Sequence, residues 1–511
     1  MKEKILLEPG SVALRTWRKI WQEKPIIGLV PGTQKVVENC QQAVMDMLAT
    51  GDAIYGVNTG FSKLAHVRID AEQVSDLQRN LIMSHSSGTG PLLDDDIVRF
   101  VMILKVAALT QGHSGVRWLI IETLLTMINE GIYPCIPSKG SVGASGDLAP
   151  LSHMVAGMMG MGDMRIKGEI IPAGEALKLA GLEPLVLGPK EGVALINGTQ
   201  LSTALALKGL FDAEKLLRAA LVTGSMSVDA LKGSTTPFDA RIHKLRKQTG
   251  QQEVAAVYRN LLEGSEIRKS HINCSKVQDP YCLRCQPQVM GACLDQLGFA
   301  AQVLEREANS ISDNPLVFPD AGEILSGGNF HAEPVAMAAD NIALAIAEIG
   351  SISERRQAML VDASVSGLPA FLAKGSGLNS GFMMPQVTSA ALVSENKNLA
   401  TPSSVDSIPT SANQEDHVSM ATYGARRLTD MNDNGFAIIA VEYLAAAQGL
   451  EFHFPATTSI PLATALERLR EKVESFEQDR FIAPEMEKAK QLIMAGALDD
   501  LVQEPIGPSY N

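Results

Sequence analysis

Apolar residues recur at helical spacing in four long stretches of the chain. In residues 94–112 the apolar positions fall on one side of a helix, and residues 201–217 predict a second helix. Residues 335–360 are rich in alanine and apolar on most faces, which indicates a helix buried inside a bundle. A further stripe at helical spacing comprises Leu462, Leu466, Leu469, Val473 and Phe476. We interpret the last two stretches as core or subunit packing.

Few stretches alternate as strands do, so the fold class is predicted to be mainly α. The expected architecture is an elongated helical bundle with a loop-rich end that carries the functional site. A chain of 511 residues has room for about three domains, but no linker divides it. We therefore predict a single unit over residues 1–511, with the loop-rich part in about residues 1–200 and the long helices in about residues 201–511.

Composition excludes several classes of function. With 44 basic and 57 acidic residues the net charge is −13, which argues against nucleic acid or an anionic membrane as partner. The start of the chain lacks the pattern of a signal peptide, and no uninterrupted apolar stretch reaches about 18 residues, so a cytoplasmic location is expected. The six cysteines do not form a disulfide framework. Cys282 and Cys285 make a CxxC without a second pair, so no metal site is predicted.

Residues 140–151 read Gly-Ser-Val-Gly-Ala-Ser-Gly-Asp-Leu-Ala-Pro-Leu and carry the most specific chemistry in the sequence. Glycine and serine also suit an ordinary turn. A tight bend, however, lets the Gly146 amide nitrogen attack the Ala144 carbonyl carbon, because glycine has no side chain to block the approach. Loss of water closes a five-membered ring, and loss of the Ser145 hydroxyl as a second water leaves a methylidene electrophile. The string lacks the G-x-S-x-G spacing of a serine hydrolase.

Other loops hold side chains with both a structural and a functional interpretation. Tyr55 begins a glycine-flanked loop at residues 53–61, where its phenol could be half buried or act as a base. His85 ends a helical pattern, and Asn197 belongs to an Asn-Gly turn signal; neither residue type requires a function. Arg284 lies in a polar segment, and an arginine can clamp a carboxylate through two parallel hydrogen bonds.

Taken together, these strings resemble those of the aromatic amino acid ammonia-lyases, and the matches extend over nearly the whole chain. The resemblance implies that Ala144, Ser145 and Gly146 condense autocatalytically into methylidene-imidazolone, with no external cofactor and no metal. The catalytic residues that it implies are Tyr55, Ala144, Ser145, Gly146, Asn197, Tyr281 and Arg284. The substrate-binding residues that it implies are His85, Gln278, Phe330 and Glu415.

The resemblance also implies a role for most of these residues. Tyr55 would remove the β-proton, Arg284 would anchor the substrate carboxylate, and Asn197 would steady the electrophile. Tyr281 would be a second phenol at the reacting centre, with Gln278 in a supporting contact and Phe330 lining the prosthetic ring. His331, beside Phe330, is expected to be structural.

Within the family, Ser84-His85 and Glu415 resemble the residues of the histidine-type members. His85 and Glu415 can both hydrogen-bond an imidazole ring. The implied reaction is non-oxidative deamination of L-histidine to trans-urocanate and ammonia. The implied assembly is a homotetramer whose active sites are shared between chains and take a small amino acid. Three alternatives stay open: a phenylalanine or tyrosine ammonia-lyase, an aromatic aminomutase of the same fold, and a non-catalytic helical scaffold.

Overall fold

A computed structural model of the protein describes residues 3–50, 57, 59–60, 68–271, 277–504 and 506–510. The chain divides into two compact units. Unit 1 comprises Met1–Lys208, Ala301–Asp340 and Pro402–Arg426. Unit 2 comprises Gly209–Ala300, Asn341–Thr401 and Arg427–Asn511.

Helices make up most of the described residues, which confirms the predicted fold class. As far as α9 they are α1 (Leu14–Glu23), α2 (Thr33–Ala49), α3 (Val74–His85), α4 (Asp95–Leu109), α5 (Trp118–Glu130), α6 (Leu148–Met158), α7 (Ala173–Leu179), α8 (Glu191–Ile196) and α9 (Gln200–Ala230). The later ones are α10 (Ala240–Arg246), α11 (Thr249–Leu262), α12 (Glu266–Lys269), α13 (Tyr281–Arg284), α14 (Gln286–Ala308), α15 (Glu333–Val361), α16 (Ala363–Ser366), α17 (Met383–Leu399), α18 (Ala421–Glu451), α19 (Ile460–Arg470) and α20 (Ala483–Met494).

All the strands in the described part of the chain are short and lie in unit 1. β1 (Lys4–Leu7) pairs in parallel with β2 (Ile26–Leu29), and β3 (Thr89–Leu92) pairs antiparallel with β5 (Pro137–Lys139). β4 (Ile132–Pro134), β6 (Asp163–Ile166) and β7 (Glu169–Pro172) form an antiparallel sheet, and β8 (Leu316–Phe318) pairs antiparallel with β9 (Glu323–Leu325). Runs of three or four residues are too short to show the alternation by which a sequence reveals a strand.

The predicted helices are present, with three differences. The helix predicted at residues 201–217 is the first part of α9, which continues to Ala230. The apolar side predicted in residues 94–112 is wrong in detail, because every residue of α4 from Ile97 to Leu109 is buried, including Arg99 and Lys105. The stripe ending at Phe476 continues beyond α19, which stops at Arg470. Phe476 is still buried, held by backbone hydrogen bonds to and from the Gln448 side chain.

The long apolar stretch 335–360 is α15, as predicted. Of the helices in the described residues, α15 alone is long and apolar enough to cross a membrane, and 67% of its most apolar window is buried inside the protein. Burial on this scale is typical of a core helix.

An ion pair lies in the core of unit 2. Arg356 donates to Glu442 through Nε at 2.5 Å and Nη2 at 2.7 Å, and both side chains are fully buried. Ser227 and Ser353 also donate to the Glu442 carboxylate, at 2.7 and 2.6 Å. A buried carboxylate is tolerated because its charge and its hydrogen-bonding capacity are both matched.

Candidate active site

The 140–151 loop turns sharply at Gly146, which has a φ of +69°. Gly146 forms a bridge with Gly198, and the Asp147 amide donates to the Gly198 carbonyl at 2.8 Å. A Cβ atom on Gly146 would lie 2.1 Å from that carbonyl oxygen. Glycine is therefore required here twice, by its backbone angle and by the close approach of Gly198.

Ser145 lies at the tip of this turn with its side chain half buried. Its hydroxyl donates to Glu415 Oε1 at 2.8 Å, and the Thr410 hydroxyl donates to Glu415 Oε2 at 2.7 Å. Ala144 beside it is buried. Two of the residues predicted for the site, far apart in sequence, are thus in direct contact.

Four helices begin at this loop, each with its first turn in unit 1. Residues 148–151 of this segment are already the first turn of α6, and α9 meets the loop where the Ser202 amide donates to Asp147 Oδ2 at 2.8 Å. Just before α15, the Ala332 amide donates to the Gly143 carbonyl at 3.1 Å, and just before α18 the Met420 amide donates to the Val142 carbonyl at 2.9 Å. Because helix N-termini carry partial positive charge, the loop lies in an electropositive environment.

Asp147 stabilises this junction. Although it precedes α6, its side chain does not cap that helix; Oδ2 accepts from Ser202, and Oδ1 accepts from the hydroxyls of Thr422 at 2.5 Å and Ser141 at 3.1 Å. Burial raises the pKa of the Asp147 carboxyl, and these hydrogen bonds oppose the rise. Asp147 therefore ties the loop to the first turns of α9 and α18.

Asn197 ends the buried helix α8 and is itself buried. Its side-chain nitrogen donates to the Val193 carbonyl at 3.2 Å, and its own carbonyl accepts from Lys105 Nζ at 2.6 Å. Burial lowers the pKa of Lys105 to about 7, while the charge of Asp313 opposes the fall. The amine of Lys105, on α4, thus fixes the position of Asn197.

His85 is the last residue of α3 and is half buried, with Nδ1 3.0 Å from the Ser84 hydroxyl. Burial lowers the pKa of His85, and a hydrogen bond to the Leu81 backbone and the charge of Glu415 oppose the fall. The charge of Glu415 acts on His85 only because the two side chains lie in the same region of unit 1.

Phe330 is half buried and precedes the Ala332 amide that bonds the loop. The neighbouring His331 ring stacks on the His417 ring, with centroids 5.6 Å apart and planes 6° apart. His331 Nε2 also lies 3.2 Å from the His417 carbonyl oxygen. This pair joins the segment of Phe330 to the segment of Glu415.

Gln278, Tyr281 and Arg284 belong to unit 2. Gln278 and Arg284 line a cavity of about 660 Å³, together with the basic side chains of Lys232, Arg268 and His271. Tyr281 is 75% exposed, and the Arg284 guanidinium lies 5.8 Å from its ring centroid. A cavity lined by several cations suits a carboxylate ligand. Tyr55 lies outside the described residues.

Several polar contacts of the site were not predicted from sequence: those of Ser419 and Thr422 with the loop, of Thr410 with Glu415, and of Lys105 with Asn197. The hydroxyl of Ser419 donates to the Gly143 carbonyl at 3.2 Å. Hydroxyl residues in loops are too common to be recognised in a sequence. Lys105 did leave a signal, because it is a single cation between apolar residues, Leu104 and Val106.

Among the described residues, no group of three or more His, Cys, Asp or Glu side chains is placed to hold a metal ion.

Comparison with known proteins gives consistent results. A family model described as aromatic amino acid lyase matches residues 12–473. A histidine ammonia-lyase of Vibrio cholerae is 54% identical over 508 residues, covering 99% of each chain. One from Pseudoalteromonas atlantica is 52% identical over 506 residues, again covering 99% of each chain.

Solved structures with the same fold include two different enzymes. The histidine ammonia-lyase of Trypanosoma cruzi is 38% identical, with a TM-score of 0.91 over 99% of this chain and 97% of that one. The tyrosine aminomutase of Streptomyces globisporus is 33% identical, with a TM-score of 0.91 over 98% of both chains. The fold thus accommodates both elimination and transfer of an amino group, so the substrate and outcome depend on the site residues.

Proposed function

The chain belongs to the aromatic amino acid lyase family, and on that premise we propose that it deaminates L-histidine to trans-urocanate and ammonia without oxidation. One observation carries the choice of substrate: the carboxylate bonded to Ser145 is Glu415, and its charge reaches His85. A carboxylate can accept the imidazole N–H, and a neutral histidine can hydrogen-bond the ring as well. A ring that lacks these groups would leave buried polar groups unpaired.

The three residues of the turn fit methylidene-imidazolone. At the bend, Gly146 adopts the left-handed backbone region, and it has no side chain to obstruct ring closure. The Ser145 hydroxyl already donates a hydrogen bond to Glu415. The N-termini of four helices would stabilise the negative charge that the ring takes up when an amine adds to it, which would strengthen the electrophile. When formed, the group supplies an electrophile that makes the amino group of the substrate a better leaving group. We infer that Ala144, Ser145 and Gly146 form it without an external cofactor.

The other residues would bind and orient the substrate. Arg284 is assigned to the carboxylate, and the cationic cavity beside it supports that role. Tyr55 is assigned the removal of the β-proton, with Tyr281 as a second phenol. Gln278 would assist Arg284. Asn197, fixed by Lys105, would steady the electrophile, and Phe330 would line it.

We also propose a homotetramer with active sites shared between chains, acting in the cytoplasm on a small amino acid and without nucleic acid or membrane as partner. Large apolar side chains are exposed on two long helices: Phe299 on α14, and Met337 and Leu344 on α15. Burial of such side chains against other copies would remove apolar surface from water. Light scattering of the purified protein measures the number of chains directly.

The function is tested by mixing purified protein with L-histidine and following urocanate by its ultraviolet absorbance, with L-tyrosine and L-phenylalanine in parallel. We expect kcat/KM for histidine to exceed that for tyrosine or phenylalanine by about 10⁴-fold or more, and no turnover with Ser145→Ala. Turnover of tyrosine or phenylalanine without histidine would indicate the other lyases, a β-amino acid product would indicate an aminomutase, and no turnover of any would favour a scaffold. The mass of the peptide 140–151 tests the electrophile separately, since it should lack two waters.

A further inference from the structure

Both carboxylate oxygens of Glu415 have defined partners. Oε1 accepts from the Ser145 hydroxyl at 2.8 Å, and Oε2 accepts from the Thr410 hydroxyl at 2.7 Å. The Thr410 and Glu415 backbones also pair, with N–H···O distances of 2.8 and 3.3 Å. Thr410 therefore holds Glu415 by main chain and side chain, with one oxygen directed at Ser145.

Formation of the electrophile requires a proton at Oγ of Ser145. After ring closure, the Cα–H and Cβ–Oγ bonds of Ser145 break and a Cα–Cβ double bond forms. The electron pair of the C–H bond becomes the new π bond, and the hydroxyl departs with the electrons of the C–O bond. Hydroxide is a poor leaving group, so an acid that protonates Oγ as the bond breaks accelerates the step.

We propose that Glu415 is the acid–base catalyst of this second dehydration, an inference that rests on the proposed function. The Glu415 carboxylate receives the proton from Cα of Ser145 and delivers it to Oγ, which leaves as water. Glu415 ends the step as it began, and the loop loses one water with no oxidant or reductant. Its contact with Oγ, an atom of the bond that breaks, makes it a catalytic residue of this step.

Asp147 is a second carboxylate at this loop, but it is engaged in other hydrogen bonds. Its two oxygens accept from Ser202, Thr422 and Ser141. These bonds hold Asp147 in a structural role, and among the described side chains Glu415 is the carboxylate that touches the Ser145 hydroxyl.

The same contact gives Glu415 two successive roles. While Ser145 keeps its hydroxyl, Oε1 is occupied by it. Departure of that hydroxyl frees Oε1 to accept the imidazole N–H of the substrate. Formation of the electrophile thus removes one competing donor from the imidazole-binding oxygen.

The test uses the full-length chain and mass spectrometry of the peptide 140–151 at intervals after cell-free synthesis. In Glu415→Gln the amide oxygen can still accept from Ser145, but the side chain no longer relays a proton. We expect wild type to lose two waters, while Glu415→Gln accumulates a species that lacks one, with the second loss slowed by about 10²-fold or more. Asp416→Asn, an exposed neighbouring acid that becomes an amide, serves as the matched control and should mature like wild type.

Circular dichroism and gel filtration establish that each variant folds, and Thr410→Val offers a milder perturbation, with a smaller delay expected. Loss of both waters from Glu415→Gln at the wild-type rate would overturn the assignment. So would a folded Glu415→Gln chain that loses no water, because Glu415 would then be needed at ring closure. An unmodified wild-type peptide would instead refute the proposed electrophile itself, so the two failures are distinguishable.

Discussion

The amine of Lys105 lies 2.6 Å from the carbonyl oxygen of Asn197, in a part of unit 1 where both residues are buried. Burial lowers the pKa of Lys105 to about 7, against 10.5 for an ordinary lysine. Between these values the unfolded chain binds the proton and the folded protein does not, so the contribution of Lys105 to stability rises with pH.

Comparison with Lys105→Met isolates this contribution. Above about pH 7, the free energy of unfolding of wild type should rise relative to that of the variant, by up to about 1.4 kcal/mol per pH unit. Urea unfolding at several pH values measures the difference. Lys488→Met, which removes an exposed lysine, serves as the matched control. If the free energies of unfolding of wild type and Lys105→Met changed in parallel with pH, the lowered pKa of Lys105 would be contradicted.

Gly146→Ala tests the requirement for glycine at the turn. The new Cβ would lie 2.1 Å from the Gly198 carbonyl oxygen, so the loop must move, and we expect neither loss of two waters nor deamination. Gly162→Ala is the matched control, because Gly162 has a similar φ of +74° and a Cβ atom added there would meet nothing within 4 Å. It should cost about 1–2 kcal/mol of stability and leave the peptide mass and activity of wild type. Equal behaviour of the two variants would mean that packing against Gly198 is unimportant.

How far the sequence allows the structure to be predicted depends on the range of each interaction. Stretch 335–360 was recognisable as α15 because helical periodicity is local. The contacts of Asp147 could not be recognised in the same way. Its position just before α6 suggests that it caps that helix, but its carboxylate accepts hydrogen bonds from residues of α9 and α18. The contact between Ser145 and Glu415 spans 270 positions, and only resemblance to a family indicated that both belong to one site.

Within unit 2, removing one partner of the buried ion pair between Arg356 and Glu442 should lower the stability of the fold. Arg356→Met leaves a buried carboxylate without its cation, and we expect a loss of about 3–5 kcal/mol in denaturant unfolding. The double variant Arg356→Met, Glu442→Leu removes both charges and should lose less than Arg356→Met alone. For the exposed pair of Lys374 and Glu477, Lys374→Met should cost less than about 1 kcal/mol. If Arg356→Met cost no more than this, the buried pair would be energetically unimportant.

His85→Phe tests the choice of substrate. The phenyl ring cannot hydrogen-bond an imidazole, so kcat/KM for L-histidine relative to L-tyrosine should fall by about 10-fold or more. Steady-state kinetics with both substrates measure the ratio. His453→Gln alters a histidine that bonds the Ala230 carbonyl in unit 2, and it should leave the ratio unchanged. An unchanged ratio in His85→Phe would remove this residue from substrate recognition.

The 140–151 loop takes its supports from Gly198, Ala332, Glu415 and Met420, all of which follow it in the chain. A ribosome therefore delivers the loop long before it delivers the residues that bend and bond it. If the electrophile forms as proposed, nascent chains stay chemically inert until translation has passed this last support. Prematurely terminated products would then carry three ordinary amino acids in place of a reactive group, and the cell would be protected from stray alkylation by its own unfinished enzyme.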